Sequence, residues 1–94
     1  MHDWTLVSIS LEWRSSTVVV TLLDRTSMPR EITARGIRQI AVSHDEPWGP
    51  SVSVLGYRCS AEAGVSRLQI EMQSGDLISI AADTLDMPAE LQTR

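Results

Sequence analysis

The stretch SRLQIEMQSGDLISIAA, residues 66–82, decides the fold of this 94-residue chain. Apolar and polar side chains alternate on both sides of a Ser74-Gly75 pair, and a period of two places each apolar set on one face of a β-sheet. The apolar positions are Leu68, Ile70, Met72, Ile78, Ile80 and Ala82. Glycine tolerates the positive φ of tight turns, so the stretch predicts a β-hairpin with a two-residue turn. A lone hairpin is marginal in water, so the remaining chain must supply further strands.

Four other segments show strand-like alternation, namely residues 4–13, 17–24, 31–43 and 51–57. The segment 17–24 has apolar residues on both faces, which is typical of a central strand covered on both sides. In the segment 31–43 the alternation changes phase beside Gly36. This change predicts a β-bulge, and one helical turn over residues 36–39 is the alternative.

Six strands joined mostly by short connections predict an all-β fold, a single-domain antiparallel meander spanning residues 1–94 with a polar C-terminal tail over 83–94. No long amphipathic helical segment interrupts the strands. A strongly twisted sheet with one apolar face must curl over that face or stack it on another layer. We expect a strongly curled sheet, either an open barrel or a sandwich-like roll; a flatter sheet paired with a second copy is the alternative.

Composition and charge narrow the class of partner. The net charge is -4, and the eight basic residues, all arginine, form no cluster, so we do not expect nucleic-acid binding. An acidic surface instead favours a basic protein partner. Cys59 is the only cysteine, which suggests a reducing compartment. With neither a signal-peptide pattern nor a membrane-length apolar run, the sequence predicts a cytoplasmic protein without membrane contact.

The clearest cluster of chemically active side chains is His44-Asp45-Glu46, to which His2 and Asp3 can be added. Such side chains bind divalent metals or exchange protons, so a metal-dependent enzyme is one hypothesis. However, three consecutive side chains diverge, and the chain has no HExxH or CxxC spacing. The favoured interpretation is a solvated loop, with no catalytic residue, metal or cofactor.

The remaining candidates are a cysteine and two tryptophans. No sequence feature indicates a general base near Cys59, which is therefore predicted to be a small core residue. Trp13 continues the apolar face of its strand and is also predicted to lie in the core. Trp48, enclosed by prolines and a glycine, either caps the core or stands out as a contact residue. In the second case, the candidate protein contact consists of His44, Asp45, Glu46 and Trp48.

Four short segments resemble a group of small bacterial all-β proteins, many uncharacterised and some of them immunity proteins of polymorphic toxin systems. They are HD at residues 2–3, RGI at 35–37, EPWGPS at 46–51 and IEMQSGD at 70–76. The resemblance implies a compact β domain that binds another protein, and it supplies no catalytic residues.

These observations together predict a non-enzymatic protein-binding module, with a toxin-neutralising immunity protein as one form and a basic toxin as the corresponding partner. The alternative is a self-assembling structural or regulatory subunit, because an exposed strand edge and a two-sided strand favour pairing with an identical copy. We therefore also expect a homodimer. The metal-dependent enzyme that would use the 44–46 loop is the third hypothesis.

Overall fold

Six strands and no helix make up the described part of the chain, which is residues 1–44 and 53–88 of a computed structural model. The strands are β1 (Thr5–Glu12), β2 (Thr17–Leu23), β3 (Pro29–Val42), β4 (Val54–Glu62), β5 (Val65–Met72) and β6 (Leu77–Asp86). All of them pair antiparallel in one sheet. The prediction of a single all-β antiparallel domain is confirmed. None of these residues belongs to a helix that could cross a membrane.

The strands follow the order β1-β2-β3-β6-β5-β4 across the sheet. Four of the five pairings join consecutive strands, as a meander requires. The fifth joins β3 to β6, so β4 lies at the edge opposite β1 instead of beside β3. The sheet is therefore two three-stranded meanders, β1–β3 and β4–β6, that meet at the β3–β6 pairing.

The sheet curls until its two edges touch at one corner. The Asp3 N–H donates a hydrogen bond to the Val54 carbonyl (2.9 Å), and the Val54 N–H donates to the Trp4 carbonyl (2.8 Å). Thr5 forms an isolated antiparallel bridge with Ser53. In the described residues these edges share no longer pairing, so the sheet is an unclosed barrel or roll. We call this contact between residues 3–5 and 53–54 the pinned corner.

The core lies on the inner face of the curl. Its fully buried members are Val18, Val20, Leu22, Ile32, Ala34, Val54, Leu68, Ile70, Met72, Ile78, Ile80 and Ala82, and Trp4 is buried with them. All six apolar positions of the predicted hairpin belong to this core. The hairpin turn is longer than expected, since the Met72 N–H donates to the Asp76 carbonyl across residues 73–75. Gly75 adopts φ +99°, as the turn requires.

The predicted irregularity in β3 is a β-bulge. Gly36 has φ +71°, and the register with β6 shifts between Ile37 and Gln39 while the strand continues to Val42. The alternative helical turn is not formed. A β-carbon at Gly36 would overlap the Asp83 side chain, so both the backbone angle and the available space require glycine here.

Two predictions about residues at the edge strands are wrong. β1 contains a bulge between Leu6 and Ser8 and ends at Glu12, so Trp13 lies in the following turn and is 84% exposed, outside the core. Cys59 is exposed because no described strand lies beyond β4. β2 is central, but its second face is only partly buried.

The prediction placed the start of the polar C-terminal tail too early, at residue 83. Residues 83–86 continue β6 and pair with β3, where Leu85 lies opposite Ala34. Ion pairs from β3 hold this extension: Arg38 bonds Asp83 at 2.8 Å, and Arg35 bonds Asp86. The polar residues that suggested a tail are therefore the outward side chains of a strand.

Candidate functional site

The predicted contact residues are only partly described by the structure. His44 follows β3 and is exposed. Asp45, Glu46 and Trp48 lie outside the described residues, so the proposed contact at residues 44–48 and the choice between the two roles of Trp48 stay predictions.

The chain on both sides of residues 45–52 is attached to the β5–β6 turn. The Ser43 N–H donates to the Leu77 carbonyl (3.0 Å), and the Leu77 N–H donates to the Ser43 hydroxyl (2.9 Å). On the other side, the Gln73 N–H donates to the Ser53 carbonyl (2.8 Å). The hairpin therefore fixes the points at which the chain leaves β3 and enters β4.

A buried carboxylate, that of Asp76, lies at the centre of this attachment and is 3% exposed. Its two oxygens accept hydrogen bonds from the Ser74 hydroxyl (3.0 Å) and the Ser43 hydroxyl (3.4 Å). A buried acid that accepts bonds from its own turn and from the neighbouring strand end has a positioning role. The sequence did not indicate this residue, because its burial depends on β3 ending beside the hairpin.

His2 and Asp3, two of the candidate metal ligands, contact each other. The His2 Nδ1 lies 3.3 Å from Asp3 Oδ2, and the Gln73 amide donates to Asp3 Oδ1 at 2.6 Å. Asp3 thus ties the N-terminus to the hairpin turn. Among residues 1–44 and 53–88, no three His, Cys, Asp or Glu side chains converge as a metal site would require. The metal hypothesis, which also needs residues 45–46, stays a prediction that titration with Zn²⁺, Mn²⁺ and Ca²⁺ would test.

Cys59 is poorly suited to act as a nucleophile. Its position opposite the buried Leu68 places the thiol on the inner face of the sheet. Partial burial there raises the pKa of the thiol, which keeps it protonated at neutral pH. Nucleophilic chemistry requires the thiolate, which a raised pKa disfavours.

An exposed apolar surface follows strand β1. Val7 is 55% exposed, Leu11 45% and Trp13 84%. Beyond Thr5, the outer side of β1 pairs with no strand in the described part of the chain. We call this unpaired side of β1, with its three apolar residues, the β1 edge. The turn residues that follow Trp13, Arg14-Ser15-Ser16, were the sequence signal that the strand ends there.

The fold and these clusters define a curled all-β domain with an apolar strand edge. No family model matches the sequence, and no curated protein matches it either. A crystal structure of an uncharacterized protein from Neisseria gonorrhoeae has a similar fold, with a TM-score of 0.71 over 92% of this chain and 90% of that chain. The two sequences are 16% identical, so the similarity concerns the fold alone.

Proposed function

We propose that this protein is a non-enzymatic protein-binding module that contacts its partner through the β1 edge. The observation that carries the proposal is the exposure of Trp13, at 84%, at the end of a strand whose outer edge pairs with no strand in the described part of the chain beyond Thr5. Unpaired edges accept a strand from another chain, and tryptophan is enriched among the residues that dominate binding energy.

A toxin-neutralising immunity protein is the form of this function that the sequence resemblance favours. The net charge of -4 supports a basic toxin as the partner, since opposite net charge accelerates encounter.

The test uses the proteins encoded beside this gene in its native host, purified and titrated by calorimetry. Trp13→Ala should weaken binding by about 2 kcal/mol or more, as the loss of a central aromatic contact does. Met28→Ala is the matched control, because Met28 is 52% exposed but lies in the β2–β3 turn. The proposal fails if no neighbouring protein binds, or if Trp13→Ala binds as tightly as the wild type.

A second candidate, the self-assembling subunit, is favoured by the same β1 edge. Two copies could pair their β1 edges antiparallel around a two-fold axis and bury their apolar residues. Light scattering on the wild type and on Val7→Lys would test this, because a charge on an edge strand opposes strand pairing. A wild-type protein that remains strictly monomeric up to its solubility limit would exclude the homodimer.

A further inference from the structure

The outer face of the second meander carries two adjacent rows of polar and small residues. Strand registers place Gln39, Ala81, Arg67 and Ser60 in one row, and Ala41, Ser79, Gln69 and Arg58 in the next. The alternate positions of these strands, such as Ile80 and Leu68, are buried in the core. The two rows therefore face away from the core.

These rows form a trough along β6. Its floor is made by the small side chains of Ser79 and Ala81, while longer side chains stand on the neighbouring strands. The depression has a volume of about 280 Å³. Its lining combines the apolar residues Leu68, Ile80 and Ala81 with the polar residues Gln39, Arg58, Ser60, Arg67, Gln69 and Ser79. Ala81 is only 6% exposed although it faces outward, which shows that the walls shelter the floor.

Two arginines on one wall are not neutralised. Neither Arg58 nor Arg67 has an ion pair among residues 1–44 and 53–88, whereas Arg35 and Arg38 on β3 each pair with an aspartate of β6. Glu71, on the same face of β5, lines an adjoining depression together with Arg58, but within the described residues these two side chains form no ion pair. The trough is thus locally cationic on a protein whose net charge is -4.

We propose that this trough binds an acidic segment of a protein partner. A guanidinium presents parallel N–H donors that match a carboxylate, so Arg58 and Arg67 would each hold one acidic side chain. The amides of Gln39 and Gln69 both donate and accept hydrogen bonds, which suits the peptide backbone between those side chains.

A nucleic-acid strand fits the same trough less well. Binding to a phosphate backbone depends on many neutralised phosphates, and two arginines on an acidic protein supply few of them. Nor does the proposal conflict with a partner of basic net charge. Net charge acts over the Debye length of about 8 Å at physiological salt, while the trough acts at contact distance.

The test is an amide NMR titration of the full chain with three probes. These are the peptide Gly-Asp-Gly-Asp-Gly, the matched peptide Gly-Asn-Gly-Asn-Gly, and inorganic phosphate. We expect saturable shifts at residues 67–69 and 79–81 with the aspartate peptide, and no such shifts with the asparagine peptide. The shifts should weaken as salt is added. Equal shifts with the asparagine peptide, or tighter binding of phosphate than of the aspartate peptide, would overturn the proposal.

Matched variants locate the binding site. Arg58→Gln and Arg67→Gln should each weaken binding of the aspartate peptide by about three- to tenfold. Ala81→Leu should prevent binding, because the larger side chain would fill the floor of the trough. Arg14→Gln, in the exposed β1–β2 turn, should leave binding unchanged. Unchanged binding by the Arg58→Gln/Arg67→Gln double variant would refute the site.

The trough and the β1 edge are tested independently. Trp13→Ala should not alter the peptide shifts, because β1 contributes no residue to the trough. Failure of the proposed function therefore leaves this inference standing, and the reverse also holds.

Discussion

Two tryptophans at opposite ends of β1 have opposite environments. Trp4, just before the strand, is 6% exposed, and Trp13, just after it, is 84% exposed. Trp4 lies at the pinned corner, where the Val54 N–H bonds the Trp4 carbonyl, while at Trp13 the outer side of β1 has no described strand beside it. The burial of a large apolar side chain here is decided by whether the two meanders meet at that point. Neither residue type nor alternation alone determines it.

The largest expected difference in the free energy of unfolding is between the two variants in which one of these tryptophans is replaced by alanine. Trp4→Ala should lower the free energy of unfolding by about 3–5 kcal/mol, as aromatic truncations in cores do. Trp13→Ala should change it by less than about 0.5 kcal/mol, because the side chain is solvated. Urea denaturation measures both values. The expected loss for Trp4→Ala corresponds to a melting temperature lower by more than about ten degrees.

Fluorescence quenching gives an independent check of the same contrast. In the Trp13→Ala variant, acrylamide should quench the remaining emission less than in the wild type, because an exposed indole has been removed. If the two variants destabilise the protein equally, the contrast between the two ends of β1 is wrong.

The next largest effect concerns the β-bulge at Gly36, since a bulge bends its strand. Gly36→Ala should cost about 2 kcal/mol, because an L-residue with positive φ is strained and its methyl group would overlap Asp83. The loss of the bend should also weaken the pinned corner, so the amide of Val54 should exchange faster with solvent. Hydrogen exchange and urea denaturation measure the two consequences.

A second substitution separates the two costs at Gly36. In an Asp83→Ser background, Gly36→Ala should be less destabilising, since the overlap is relieved while the strained φ remains. Equal costs in both backgrounds would show that Asp83 does not contribute, and no cost in either would remove the role of the bend.

A smaller effect should come from the β2–β3 turn, which lies at the same end of β1 as Trp4 because Thr5 pairs with Leu23. Asp24 accepts hydrogen bonds from the Thr26 hydroxyl (2.7 Å), the Met28 N–H (3.0 Å) and the Thr26 N–H (2.9 Å), and it pairs with Arg30 at 3.1 Å. The bond from the Thr26 hydroxyl, followed by that from the Met28 N–H, lowers the pKa of Asp24.

A carboxyl group whose pKa is lowered by folding stabilises the protein above its unfolded pKa of about 3.9. That contribution is lost as the pH falls through the lower native value. Asp24→Asn should therefore be less stable than the wild type at pH 6, and the difference should shrink as the pH falls below about 4. Urea denaturation at several pH values measures this. A difference that does not change with pH would contradict the assigned role of the charge.

The smallest effect should be a gain in stability from a substitution in the β4–β5 turn, which lies away from the pinned corner. Ala63 and Gly64 both have positive φ, at 55° and 78°, as a two-residue hairpin turn requires. Asparagine tolerates this conformation better than alanine, so Ala63→Asn should raise the free energy of unfolding by about 0.5–1 kcal/mol. Ala61→Asn, within β4, should not stabilise the protein, because asparagine is unfavourable in strands.

The sequence predicted best what lies inside the sheet. The alternation at residues 66–82 identified the core because β5 and β6 each have a strand on both sides. The same alternation misplaced Trp13 and Cys59, since Trp13 lies in the turn after the edge strand β1 and Cys59 lies in the edge strand β4. The change of phase at Gly36 was visible in the sequence because a bulge shifts the apolar positions.

The candidate sites were harder to predict than the fold. The trough could not be predicted without the pairing registers of four strands. The small outward residues Ser79 and Ala81 were nevertheless a usable signal, because the outward residues on the neighbouring strand β5 are larger. Asp76 appeared as an ordinary turn residue, because only the end of β3 buries it. Asp45, Glu46 and Trp48 make up most of the contact site predicted from the sequence, and they lie outside the described part of the chain.

The β3–β6 pairing has a consequence for the order in which the chain folds. Each meander can form from strands that are neighbours in sequence, whereas joining the two brings residues 33–42 against residues 78–86. Closing a loop of that length is slow, and β6 is synthesised after every one of its partners. During translation, β3, the longest strand, therefore presents an unpaired edge that other nascent chains could join. Rapid formation of the 66–82 hairpin is thus a kinetic protection, because it prepares β6 to cover β3 as soon as it has been made.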